Sequence, residues 1–237
     1  MRYLLLHGFT GGPESLTVIS PPDGSVAPPL AGHLGQPVVG GFWDEVERLA
    51  ALGSDCQGLL GYSLGGRFAL GMLARYPERF VHSVIMSAHP GLPTVAERDA
   101  RRAGDARLVE LLRGRGLSAF VEHWQALPLW ASQGALPEAV KLAQRKLRLS
   151  HTAEGLAQSL IHHGLGEMPD LRPRLPAVRG EVDVVVGERD LKFVPLGQEL
   201  SHLIPGAKLT IVAGAGHNLL LERPALGAEL LRHGANP

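Results

Sequence analysis

One cysteine, Cys56, is the whole thiol complement of the 237 residues. No internal disulfide can form, and the chain fits a reducing compartment. With no basic neighbour in sequence to favour a thiolate, Cys56 reads as a small buried apolar residue and not a reactive thiol. An excess of either charge is also missing, since 23 Lys and Arg balance 23 Asp and Glu. No net field draws the chain to nucleic acid or to an acidic membrane surface, and only a local cluster of charge could do that. Long apolar runs are absent too. The N-terminal run from Tyr3 to Leu6 is interrupted by His7 and Gly8, too early for a secretory core, and no other stretch approaches a membrane span. The cytoplasm is the expected location.

What is present describes a globular protein. Apolar residues make up 45% and charged residues 19%, and a chain of this length buries one substantial core with room for an inserted subdomain. Short apolar runs are spaced as strands at Tyr3 to Leu6, Ser25 to Pro28, Gln57 to Tyr62, Val81 to Ser87, Val182 to Val186 and Lys208 to Val212. None alternates cleanly with polar residues, so about six strands buried on both faces are expected, in a mostly parallel sheet with helices on either side. Helical spacing recurs at Trp43 to Leu52, Arg67 to Arg75, Pro195 to Leu203 and Pro224 to Arg232. Between them, residues 90–169 break the rhythm. They contain no convincing strand and read as four helical stretches, near Arg98 to Leu112, Leu117 to Trp124, Pro137 to Leu149 and Thr152 to His162. We therefore expect a core formed by 1–89 and 170–237 and a helical cap formed by 90–169, with Pro169, Pro173 and Pro176 marking the return to the core.

Gly61-Tyr62-Ser63-Leu64-Gly65-Gly66 fits G-x-S-x-G between an apolar run and a helical one, which resembles the nucleophile turn of α/β hydrolases. The glycines have a physical purpose: a strand-to-helix turn this sharp brings neighbouring backbone where a Cβ would sit. The bland alternative is a glycine-rich turn. A serine hydroxyl needs an imidazole within hydrogen-bond reach and a carboxylate to orient it, and the hydrolase order is Ser, acid, His. Of 11 histidines, His217 alone follows the last expected strand in a loop of small residues, Ala213 to Gly216. The acid should leave the preceding strand, where Asp190 stands, with Glu188 and Asp183 as rivals. Asp183 lies before or within the strand and points to the wrong end of the sheet. The backbone N–H groups of Leu64 and of Phe9, in His7-Gly8-Phe9-Thr10-Gly11-Gly12, are the expected donors to a developing oxyanion. His7 and His33 read as structural.

A narrower resemblance rests on Gly61 to Arg67, on Ser87-Ala88-His89-Pro90-Gly91-Leu92, on the stretch from Arg98 to Asp105, on Trp124 with Pro128-Leu129-Trp130, and on Gly187-Glu188-Arg189-Asp190-Leu191-Lys192-Phe193. Together they resemble the 2-succinyl-6-hydroxy-2,4-cyclohexadiene-1-carboxylate synthases of menaquinone biosynthesis, from Leu6 to about Pro224. The resemblance implies a lyase without cofactor or metal. It would take a proton from a succinyl-bearing cyclohexene carboxylate and expel pyruvate as the ring becomes a diene, with the serine serving in proton abstraction and not as an acylated nucleophile. The implied substrate is a small polycarboxylate. By position Arg67, Arg101, Trp124 and Tyr62 match substrate contacts of the family, with Arg98 and Lys192 added; without the match, the arginines would read as a solvated helix face. Two departures stand out: no N-terminal antiparallel hairpin is expected, and Glu14, Ser15 and Leu16 replace an aromatic residue usual after the oxyanion loop. An esterase or carbon–carbon bond hydrolase would use the same triad. A non-enzymatic scaffold of this fold would be expected to have lost a triad member. The sequence leaves the oligomeric state open.

Overall fold

Each apolar run becomes a strand only where it finds a hydrogen-bonded neighbour. In the computed structural model, which describes residues 1–233, five of the six expected runs do so: β1 (Tyr3–Leu6), β2 (Gly58–Tyr62), β3 (His82–Met86), β4 (Glu181–Gly187) and β5 (Lys208–Val212). They lie side by side in chain order, every pair parallel. Leu6 pairs with Gly61, Tyr62 with Met86, Met86 with Val185 and Gly187 with Val212. This register aligns the carboxyl ends along one edge, where an open parallel sheet places its ligands. The sixth run corrects the expected strand count. Ser25 to Pro28 makes only one isolated bridge, Val26 against Leu4, because Pro21 and Pro22 precede it, Pro28 and Pro29 follow it, and proline has no N–H for a ladder.

Parallel neighbours require crossovers. These run through α1 (Phe42–Leu52), α2 (Leu64–Arg75) and α6 (Phe193–Leu203). On one sheet face Leu4, Leu6, Leu59, Ile85 and Val184 pack with Phe42, Phe68 and Leu200 of those helices. On the other, Leu5, Leu60, Val84 and Val185 meet Leu16 and Ile19 of a 3-10 helix over Pro13–Ile19, together with α7 (Leu219–Glu222) and α8 (Pro224–His233). Burial on both faces is why β1 to β4 lack alternation; β5 corrects that expectation, since as the edge strand it is only partly buried, with Lys208 and Ile211 exposed. Cys56 is buried in the first of these clusters. Residues 234–237 of the expected core lie outside the described residues.

Between β3 and β4 the chain is helical: α3 (Val95–Gln125), a 3-10 turn over Pro128–Ala135, α4 (Glu138–Arg148), α5 (Ala153–His163) and a 3-10 turn over Arg172–Ala177 within the return segment. Thr94 and Glu97 form a capping box that starts α3. Gly116, at φ 79 and ψ 173, breaks α3 into the two helices expected there. Val109, Leu112, Phe120, Leu156 and Leu160 form an apolar cluster of their own between α3 and α5. Among the described residues no helix is long and apolar enough to cross a membrane.

Candidate active site

Ser63 ends the turn from β2 into α2 with φ 52 and ψ −107, a conformation that costs an L-residue about 1–3 kcal/mol. The turn is tight because α2 starts against β1. A Cβ on Gly65 would stand 2.2 Å from Leu6 O and 2.6 Å from His7 O, so only glycine admits that approach. The Gly65 N–H in turn donates to His7 O at 3.0 Å, tying the helix to the oxyanion loop.

Ser63 Oγ donates to His217 Nε2 at 3.0 Å, and His217 Nδ1 donates to Asp190 Oδ2 at 2.6 Å. Asp190 as acceptor places the ring proton on Nδ1 and leaves Nε2 to receive the serine proton. The loops carrying the two partners brace each other, since Arg189 N donates to Ala215 O at 2.8 Å. Gly187 permits that approach: a Cβ there would meet Gly216 O at 2.2 Å. Both rival acids are engaged elsewhere. Asp183 pairs with His82 at 2.9 Å, and Glu188 accepts the Gly214 amide at 2.8 Å. Phe193, Trp130 and Tyr62 pack around the His217 ring with centroids 4.6, 5.5 and 5.6 Å away, which restricts its rotation.

Phe9 and Leu64 both line the cavity at Ser63, and among the described residues neither backbone N–H donates to a protein acceptor. His7 and His33 hold the loop from below. Leu30 N donates to His7 Nε2 at 3.1 Å, and Thr10 N to His33 Nε2 at 3.2 Å. Burial keeps His7 neutral, its pKa pushed down to about 4.

The cavity measures about 700 Å³, and Arg67, Arg101, Lys192, Tyr62 and Trp124 share its wall with Ser63. Arg67 is held by His163 O at 2.8 Å. Burial, reinforced by the Arg101 charge, lowers its pKa to about 9, which leaves it cationic at neutral pH. Arg101 is gripped by Asp105 at 2.9 and 3.0 Å, and burial also lowers the pKa of Lys192. Trp124 stacks on Phe120 with centroids 5.7 Å apart. The Tyr62 hydroxyl and the Trp124 indole N–H are buried with no partner among the described residues. Arg98 is a correction. It is not on the cavity wall, and its guanidinium donates to Leu92 O at 2.8 Å and Pro93 O at 3.3 Å. In the first turn of α3 it meets the carbonyls of the entering loop, whereas Arg101, one turn further on, faces the site.

Sequence reasoning missed Arg148. It is 3% exposed, lies over the Trp130 ring at 5.2 Å and lines an adjoining hollow that shares Leu127 and Trp130 with the Ser63 cavity, yet among the described residues it makes no ion pair or hydrogen bond. In sequence it ends a basic run with Arg145 and Lys146, and that run looks like a solvated face.

The sequence pattern of the Alpha/beta hydrolase family matches residues 3–230. A putative 2-succinyl-6-hydroxy-2,4-cyclohexadiene-1-carboxylate synthase of Bacillus subtilis (strain 168) is 33% identical over 238 residues, spanning 95% of this chain and 87% of that protein. The chain belongs to this synthase family of α/β hydrolases. Another family member, the synthase of Salmonella newport (strain SL254), is 34% identical over 202 residues, 83% of this chain and 77% of its own. Among solved structures, MenH from S. aureus is similar with a TM-score of 0.89 at 27% identity, covering 100% of this chain and 95% of that one. A thermophilic esterase from Thermogutta terrifontis has a TM-score of 0.81 at 22% identity over 98% of this chain and 88% of that one, a likeness of fold outside the synthase family.

Proposed function

We propose that this chain is the cofactor-free lyase its family name describes, eliminating pyruvate from a succinyl-enolpyruvyl-hydroxycyclohexene carboxylate in the cytoplasm. One observation carries the proposal: the cavity at the Ser63 hydroxyl also presents Arg67, Arg101 and Lys192. A substrate with several carboxylates needs such a wall, and a simple ester does not. Each charge-assisted bond contributes about 1.5–3 kcal/mol. Arg148, buried beside Trp130, is a further candidate for one carboxylate, since an unpaired buried cation is costly unless a ligand completes it.

In this reading His217 takes the Ser63 proton, and the serine oxygen removes the ring proton next to the succinyl carbonyl. The C–H electron pair becomes a ring double bond, the existing alkene shifts by one position, and the C–O bond to the enolpyruvyl group breaks. Pyruvate departs as its enolate and takes up the proton that His217 returns. Negative charge collects on the succinyl carbonyl oxygen during proton removal, and the Phe9 and Leu64 amides serve as its donors. Asp190 holds the His217 tautomer and stabilises the imidazolium. Residues 90–169 act as a cap that supplies Arg101 and Trp124 to the cavity, with Arg148 in the adjoining hollow that shares Trp130 with it.

Incubating the protein with that substrate and following pyruvate tests the assignment. The triad and its two free amides equally suit an esterase or a carbon–carbon bond hydrolase; turnover of nitrophenyl esters without pyruvate release would favour that alternative and overturn the lyase.

A further inference from the structure

His89 follows β3 and lines the same cavity as Ser63, but the triad makes no use of it. Its Nδ1 accepts the Gly91 N–H at 3.0 Å, so the ring proton sits on Nε2. Among the described residues Nε2 has no protein partner, and it is not sealed from the cavity as both ring nitrogens of His163 are. With the ring on the cavity wall, the Nε2–H is the donor that His89 has free to offer there. Burial first, and then the charges of Arg172, Lys192, Arg67 and Arg101, push the pKa of this ring down to about 3. The imidazole stays neutral within a group of cations.

A neutral donor there has a distinct use. Lys192 is a point charge that attracts an anionic oxygen from many directions, the guanidinium forks of Arg67 and Arg101 are partly committed to His163 O and Asp105, and a further cation beside them would add repulsion. A ring N–H fixed by its own backbone bond adds direction without charge. We propose that His89 is a specificity-determining residue whose Nε2–H donates to a carboxylate oxygen of the substrate that Arg67, Arg101 and Lys192 attract. The inference deepens the lyase reading and rests on it for the identity of the substrate.

Two substitutions separate this role from a structural one. In His89→Asn the amide oxygen occupies the place of Nδ1 and keeps the Gly91 bond, but no donor reaches the cavity. In His89→Gln the amide nitrogen reaches the place of Nε2, and the Gly91 bond is lost. The expected results are a KM raised about 10- to 100-fold in His89→Asn with Tm close to wild type, and a lowered Tm in His89→Gln with KM restored to within about three-fold of wild type. Equilibrium titration with citrate, a simple tricarboxylate, provides the parallel readout without turnover: binding should weaken about ten-fold in His89→Asn and recover in His89→Gln. Absence of pyruvate release by the wild type would sink the lyase reading alone, and the citrate titration would then decide His89. Wild-type KM and citrate affinity in His89→Asn, or equal losses in both variants, would overturn the proposal.

Discussion

Replacing Arg148 by methionine should raise stability and lower activity together. Arg148 is 3% exposed, and burial lowers its pKa from 12.5 to about 10. At 1.36 kcal/mol per unit, that is about 3 kcal/mol against the charged form. The stacking on Trp130 at 5.2 Å returns about 1–2 kcal/mol. Methionine keeps the apolar stem and removes the charge, so a net gain of about 1–2 kcal/mol is expected, a rise of roughly 4 °C in Tm for a domain of this size. The same change removes a partner for a substrate carboxylate, about 1.5–3 kcal/mol, and should lower kcat/KM for pyruvate release about 10- to 100-fold. Thermal unfolding and pyruvate-release kinetics on one preparation measure both. A variant that is less stable and catalytically unchanged would refute the reasoning, because Arg148 would then be a structural cation with a partner.

Ser63→Ala should lower pyruvate release by at least about 10³-fold with no loss of Tm; retained turnover would exclude the serine from the chemistry. Asp190→Asn should cost about 10⁴-fold in kcat by favouring the wrong His217 tautomer, while Asp183→Asn, which weakens only the pairing with His82, should change Tm and leave kcat alone. Gly65→Ala should destabilise by about 3 kcal/mol or more, seen in denaturant unfolding, since its methyl group would lie 2.2 Å from Leu6 O. Stability should also fall with acid. Burial sets His7 and His163 near pKa 4, below the ordinary 6.5, so the unfolded chain binds more protons between about pH 6.5 and 4. Their contribution is complete above pH 6.5 and lost as pH falls through that window, about 3 kcal/mol for His7 alone. Tm measured from pH 7 to 4.5, with calorimetry in buffers of different ionisation enthalpy, should show the decline and the proton uptake; a flat profile would contradict it.

Much of this architecture is legible because it is local. The spacing of Gly61, Ser63 and Gly65 encodes the turn that lifts the hydroxyl, and the order Ser63, Asp190, His217 follows from each standing just after a strand whose apolar run is visible. The family likeness adds Arg67, Arg101, Trp124 and Lys192, all of which face the cavity. The failures are equally physical. Ser25 to Pro28 has the apolar look of a strand, but flanking prolines limit it to one bridge. Arg98 and Arg101 stand three apart on one helix, yet the carbonyls of Leu92 and Pro93 take the first and the cavity the second.

Residue order and local backbone preference thus determined the strands, most of the helices and the identity of the three triad candidates, since periodicity and glycine placement act over a few neighbours. Only the tertiary structure decided which cations share the serine's cavity, that Arg148 is buried and not solvated, and that His89 lines the same cavity. Those outcomes depend on solvent exclusion and on hydrogen bonds between segments distant in sequence, and neither is written in the spacing of the residues themselves.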